Sequence, residues 1–165
     1  MSISYTEGMF RTPLNLFRVL SVAEAVTWTL LIAGMILRAV FGWAWAVAVF
    51  GGIHGFVFLC YVSTSILVAK NQRWTPWPWV AAIGSAVIPY ATVPADRWLH
   101  RRGLLEGGWR LEATDDPRDS AWHDRVLRTV LRRPRTFTVL GAVAVVVVFS
   151  GLLVAGPPGG WTSGS

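Results

Sequence analysis

Glu24, His54 and Tyr61 are side chains capable of proton chemistry that fall in apolar stretches of the sequence, with the Cys60 thiol beside Tyr61. A carboxyl and an imidazole can exchange a proton near neutral pH, because histidine titrates between about pH 5 and 8. The same pair can also serve as a hydrogen-bonded clamp between two helices. The histidine stands in the run GGIHGFVFLCY, Gly51–Tyr61, with glycine at 51, 52 and 55. Seven and eleven positions are close to whole helical turns, so His54, Tyr61 and Ser65 form one polar stripe. Ser21, Thr27 and Trp28 share the helix face of Glu24, while Arg18 lies about 120° around the helix and near its start. That position lets Arg18 snorkel to the interface, and pairing with Glu24 requires a distorted helix start.

The elements that must position these groups are membrane helices. The chain has 165 residues, is 53% hydrophobic and only 15% charged, and its mean hydropathy is +0.48. Apolar residues gather in blocks of about twenty, the length that crosses the hydrocarbon core of a bilayer. The reading is an all-α integral membrane bundle in the plasma membrane: three helices, then a fourth after a cytoplasmic loop. Residues 1–16 form an N-terminal segment. The three-helix domain covers 17–96, with spans predicted over 17–37, 43–69 and 79–95. Residues 97–135 form an arginine-rich loop with short amphipathic helices, 136–155 a fourth span and 156–165 a disordered Gly/Pro/Ser tail. The first block is too long for a signal peptide, and further spans follow it.

Helix three is expected to carry a stripe of its own, Ser85, Pro89, Thr92 and Asp96. Three stripes should turn toward one another, because lipid offers them no partner. Glu24 and His54 then lie near the midplane with an axial offset of about 8 Å. Gly51 and Gly55 make a GxxxG pair that lets a neighbouring helix come close.

Basic residues set the expected topology. Ten arginines lie between 97 and 135, and Arg38 makes eleven on one side, against Arg11, Arg18, Lys70 and Arg73 on the other. The loop and the Arg38 connection are therefore predicted to face the cytoplasm, with both termini outside. Trp43, Trp45 and Trp98 would mark one interface, and Trp74, Trp77, Trp79 and Trp161 the other. In the loop, Asp115-Asp116-Pro117 signals a turn. Asp119 or Ser120 would cap a helix whose face Trp122, Val126 and Val130 suits a membrane surface or the loop itself. Arg125, Arg128, Arg132, Arg133 and Arg135 are expected to meet anionic headgroups.

Phe17-Arg18, Glu24, Gly51…His54-Gly55…Tyr61, Trp74, and Pro89 before Asp96-Arg97 resemble a family of small bacterial membrane proteins, common in actinobacteria: domain of unknown function 3817. The resemblance covers roughly residues 14–100. It implies three membrane helices and no established activity; the loop and fourth helix lie outside it.

The expected function is structural or regulatory, with a buried Glu-His-Tyr cluster and a homo-oligomer or another membrane protein as partner. The alternatives are a small proton-coupled transporter or a lipid- or quinone-binding protein using Glu24 and His54. No catalytic, cofactor or metal motif stands in the sequence, so neither an enzyme nor a metal site is expected. His100 and His123 have no ligand spacing with other residues, and nothing suggests a nucleic-acid fold.

Overall fold

The computed structural model describes residues 12–113, 117 and 121–155. The expected tail 156–165, the segment 1–11, the Asp115-Asp116 turn and the Asp119 or Ser120 cap lie outside the described residues, as do the side chains of His123, Val130 and Arg135. Six α-helices stand among the described residues, and no strand: α1 Pro13–Phe41, α2 Ala44–Asn71, α3 Pro76–Ser85, α4 Thr92–Arg101, α5 Trp122–Arg132 and α6 Pro134–Ala155.

Local chemistry sets the ends of α1. Thr12 accepts from the Asn15 amide at 3.2 Å and Pro13 opens the first turn, so the helix starts four residues before the expected position. Gly42 ends it in the left-handed region (φ 71°), its amide bonded to Arg38 O at 3.0 Å. Only Gly42 and Trp43 separate α1 from α2, which makes the two antiparallel neighbours. Both are long and apolar enough to cross a membrane, yet only 22% and 17% of their most apolar windows are buried inside the protein. Water would not tolerate that much exposed apolar surface on two helices. The buried positions on α1 (Pro13, Leu16, Phe17, Ser21, Glu24, Thr27, Gly34) lie along one face of the helix. They face the α2 stripe His54, Tyr61 and Val68.

The segment expected as one helix over 79–95 is a hairpin of two helices. Pro89 supplies no amide donor and its ring clashes with the carbonyl four residues earlier; Tyr90 stands at φ 64°. The chain therefore turns through 86–91 between α3 and α4. At ten residues each, about 15 Å, neither helix crosses a hydrocarbon core of about 30 Å.

The hairpin returns to the end it left. Its successive partners on α1 run backwards: Ala86 O takes Trp28 Nε1 (3.4 Å), Thr92 Oγ1 donates to Ser21 O (2.9 Å), and Asp96 meets Arg18 (3.2 Å). Beyond α4, Leu104 O accepts from Trp74 Nε1 at 2.7 Å and Glu106 O from Gln72 Nε2 at 2.8 Å. The loop thus begins beside the start of α1 and the end of α2, with Arg38 at the far end. This corrects the expected arrangement, which put Arg38 and the loop together and the start of α1 opposite them. Trp98 accordingly belongs with Trp74, Trp77 and Trp79, not with Trp43 and Trp45.

Arg133 alone separates α5 from α6, which opens on Pro134. The 22-residue α6 lays the Phe149 ring on Gly52 and Gly55 of α2 and edge-on to Phe56, with ring centroids 6.2 Å apart. Buried Phe17, Tyr61, Val68, Trp74, Ala82, Leu99 and Leu105 form the core at the loop end.

Candidate functional site

The polar residues singled out in the sequence divide into three groups along the bundle. The deepest lies near the middle of α1 and α2. Glu24 is fully buried, and neither of its carboxyl oxygens makes a well-formed hydrogen bond among the described residues, although the Trp28 indole N–H and the Thr92 hydroxyl stand close to the carboxyl. His54 Nδ1 stands 4.0 Å from Glu24 Oε1, beyond hydrogen-bonding distance. Thr27 Oγ1 lies 3.1 Å from the same ring nitrogen and donates to Glu24 O at 2.9 Å, which leaves its lone pairs for an Nδ1–H. The Trp28 indole packs on the imidazole with centroids 4.5 Å apart. The hairpin tip closes the group from the side, through the Trp28–Ala86 bond and a 3.4 Å approach of Tyr90 OH to Thr29 Oγ1.

The second group lies about 10 Å nearer the loop end, seven residues along α2. Tyr61 OH donates to Ala82 O at 3.1 Å and lies 3.2 Å from Ser85 Oγ. Ser65 Oγ bonds the Tyr61 carbonyl. Tyr61 and Ser65 thus face inward as expected, but Tyr61 fastens α3 and does not bridge Glu24 to His54. The third group is Arg18 with Asp96. Arg18 does not pair with Glu24; its carboxylate partner is on α4. Ser85, Thr92 and Asp96 are buried and Pro89 is exposed, so three of the four positions in the helix-three stripe still face the core across the break.

The glycines separate. A Cβ on Gly51 would sit 3.6 Å from Leu31, and one on Gly55 3.4 Å from Phe149, both near ordinary contact. The tight approach is at Gly34, where a Cβ would lie 3.0 Å from Ala46 O and 3.1 Å from the Phe50 ring. A lone glycine in an apolar helix was the only sign of it.

Sequence reasoning also missed a clasp at the loop end. Arg110 donates to Asn71 O (2.6 Å), Lys70 O (2.8 Å) and Asp124 Oδ1 (3.0 Å), capping α2 and holding α5. Its amide bonds Asn71 Oδ1 at 2.8 Å. Leu127 buries the inner face of α5, while Trp122 and Val126 are exposed. Arg125, Arg132 and Arg133 are exposed, Arg128 half-buried, and Arg132 Nε donates to Leu111 O. Among the described residues, no cluster of three or more His, Cys, Asp or Glu has the arrangement of a metal site.

Long, lipid-suited helices and a carboxyl–imidazole pair sealed between them define a helical membrane protein. Residues 14–101 match the family model described as Domain of unknown function (DUF3817), and the chain belongs to that family. It is 35% identical over 94 residues to a Streptomyces coelicolor protein named "putative membrane protein". That match covers 56% of this chain and 11% of the relative, so the shared region spans about a tenth of the relative's length. No solved structure matches.

Proposed function

We propose that the chain is a small integral membrane module in which α1, α2 and α6 span the bilayer, α3–α4 re-enter it, and the Glu24–His54 pair binds a proton. The fully buried carboxyl, 4.0 Å from the His54 imidazole and without a well-formed hydrogen bond on either oxygen, carries this reading. A helix clamp would commit donors to those oxygens, because an unsatisfied buried polar group costs about 1–3 kcal/mol, and more when charged. The two donors beside the carboxyl, Trp28 Nε1 and Thr92 Oγ1, are directed to Ala86 O and Ser21 O. With Glu24 anionic and His54 neutral, the pair holds an uncompensated charge in hydrocarbon. One added proton, on either residue, makes it neutral overall. Broken helices lining buried polar groups are the form that non-helical backbone takes at membrane depth.

Charge supports an orientation with the loop end in the cytoplasm. Among the described residues, Arg18, Lys70, Arg73 and the basic residues of 97–110 and 125–133 gather there, and Arg38 is the one Lys or Arg at the other end. α1 then starts inside, and α6 ends outside.

Infrared difference spectra in nanodiscs between about pH 5 and about pH 8 test the proton site. The expected result is a protonated-carboxyl band that disappears in Glu24→Gln. Identical spectra for the two proteins would remove the proposal.

A second reading, an accessory module of a larger membrane protein, is favoured by the Streptomyces relative, where the matching region is one part of a much longer chain. Mild crosslinking in native membranes should then return a polytopic partner; recovery of self-contacts and lipid alone counts against it.

A further inference from the structure

Where α2 ends and α3 begins, the surface opens into a cavity of about 550 Å³, within the range of ligand pockets, about 300–1,000 Å³. Its walls have two characters. Trp74, Trp79 and Val80 are apolar, and Val80 is 60% exposed on the outer side. Lys70 and Arg73 bring positive charge, and the Lys70 ammonium lies 5.9 Å over the Trp79 ring. Asp124, also in the wall, is engaged by Arg110 at 3.0 Å. Arg73 is itself engaged by other residues, so the cation that the wall offers to a ligand is Lys70.

The cavity also lies at a particular height. It sits at the end of a helix long enough to cross the bilayer, beside Trp74, Trp77 and Trp79, and indoles concentrate at the membrane–water interface. A free anion would use only the cations. An amphiphile would use both walls, its headgroup on Lys70 and its acyl chain along Val80 toward lipid.

We propose that this cavity binds the phosphate of an anionic phospholipid headgroup, with Lys70 as its principal cationic contact and Trp79 and Val80 bordering the acyl chain. The site is separate from the Glu24–His54 pair and does not depend on the proton-binding reading.

The test uses the full chain in detergent, titrated with phosphatidylglycerol, phosphatidylcholine of the same chain length, or inorganic phosphate. Melting temperature and native mass spectrometry are the readouts. Phosphatidylglycerol should be retained over phosphatidylcholine and raise the melting temperature. Lys70→Gln should weaken that binding about fivefold, the equivalent of about 1 kcal/mol per basic charge at an anionic surface. Arg38→Gln, at the far end, should leave it unchanged. Val80→Trp, which narrows the cavity from its exposed side, should weaken it too and serves if Lys70→Gln fails to fold. Undiminished phosphatidylglycerol binding in Lys70→Gln, or in Val80→Trp where that variant stands in, overturns the proposal. Equal losses in Lys70→Gln and Arg38→Gln overturn it in favour of diffuse surface attraction. Stabilisation by inorganic phosphate alone, equal to that by phosphatidylglycerol, overturns the lipid as the source of the phosphate.

Discussion

Arg18 and Asp96 are 78 positions apart in the sequence, and Arg18 Nε donates to Asp96 Oδ2 across 3.2 Å. The contact fixes where α4 goes. A third span would have carried Asp96 to the Arg38 end; pairing with the start of α1 requires the chain to turn back. The Asp96 carboxyl is nearly buried while Arg18 is half open to its surroundings, so removing the arginine strands the more costly partner. Arg18→Gln is expected to lower stability in detergent by about 1.5–3 kcal/mol, the usual range for a hydrogen bond to a charged group. Asp96→Asn should cost less, and the double mutant should fall short of the sum. Additive losses in a thermal-denaturation cycle would mean that the pair is not coupled.

The returning hairpin also makes a topological prediction. Cys60, the chain's one cysteine, can be replaced by serine and single cysteines placed at Arg38, Gln72 and Glu106. Gln72 and Glu106 are joined by a 2.8 Å hydrogen bond, so a membrane-impermeant maleimide should label both from the same face. Arg38 should label from the opposite face. Labelling of Glu106 together with Arg38 would restore a spanning third helix.

Period and length made α1 and α2 legible, as did the inward faces of Glu24, His54, Tyr61 and Ser65, because a helix stripe depends only on spacing. The helix-three stripe was also legible residue by residue, since Ser85, Thr92 and Asp96 do turn inward. What failed was its continuity. Pro89 was visible, but whether a proline kinks a helix or ends it depends on what can satisfy the freed backbone groups. Here the Trp28 indole, 58 positions away, reaches Ala86 O, and no local pattern announces that. The expectation that Arg38 and the loop share one end failed through this one break, because arginine counting inherits the number of spans. Arg110 was invisible for the same reason: its carbonyl partners are 39 and 40 positions away.

Gly34 and Gly51 make opposite predictions. Gly34→Ala places a methyl 3.0 Å from the backbone oxygen of Ala46, which cannot move without α2. A cost of about 1–3 kcal/mol is expected, as for other overpacked sites, read as a lower melting temperature in detergent. Gly51→Ala meets only Leu31 at 3.6 Å and should be neutral or slightly stabilising, since alanine favours the helix. The reverse order would put the close helix contact back at the GxxxG pair.

Arg110 holds α5 to the bundle. The last carbonyls of α2 have no acceptor role within the helix, and a guanidinium at this end also suits the helix dipole. Asp124, buried in the first turn of α5, meets the same guanidinium at 3.0 Å. One side chain therefore links the end of α2 to the start of α5, and Arg110→Ala removes both connections. The expected result is local: α5 amides 122–132 should exchange with deuterium at least tenfold faster, equivalent to about 1.4 kcal/mol of lost protection. Exchange in the middle of α1 and α2 should hardly change. Arg110→Lys should restore little, because an ammonium is a point donor and cannot reproduce the planar fork that meets two carbonyls and a carboxylate. Unchanged α5 exchange in Arg110→Ala would show that Leu127 packing alone anchors the helix. Full rescue by lysine would show that charge, and not geometry, is what α5 requires.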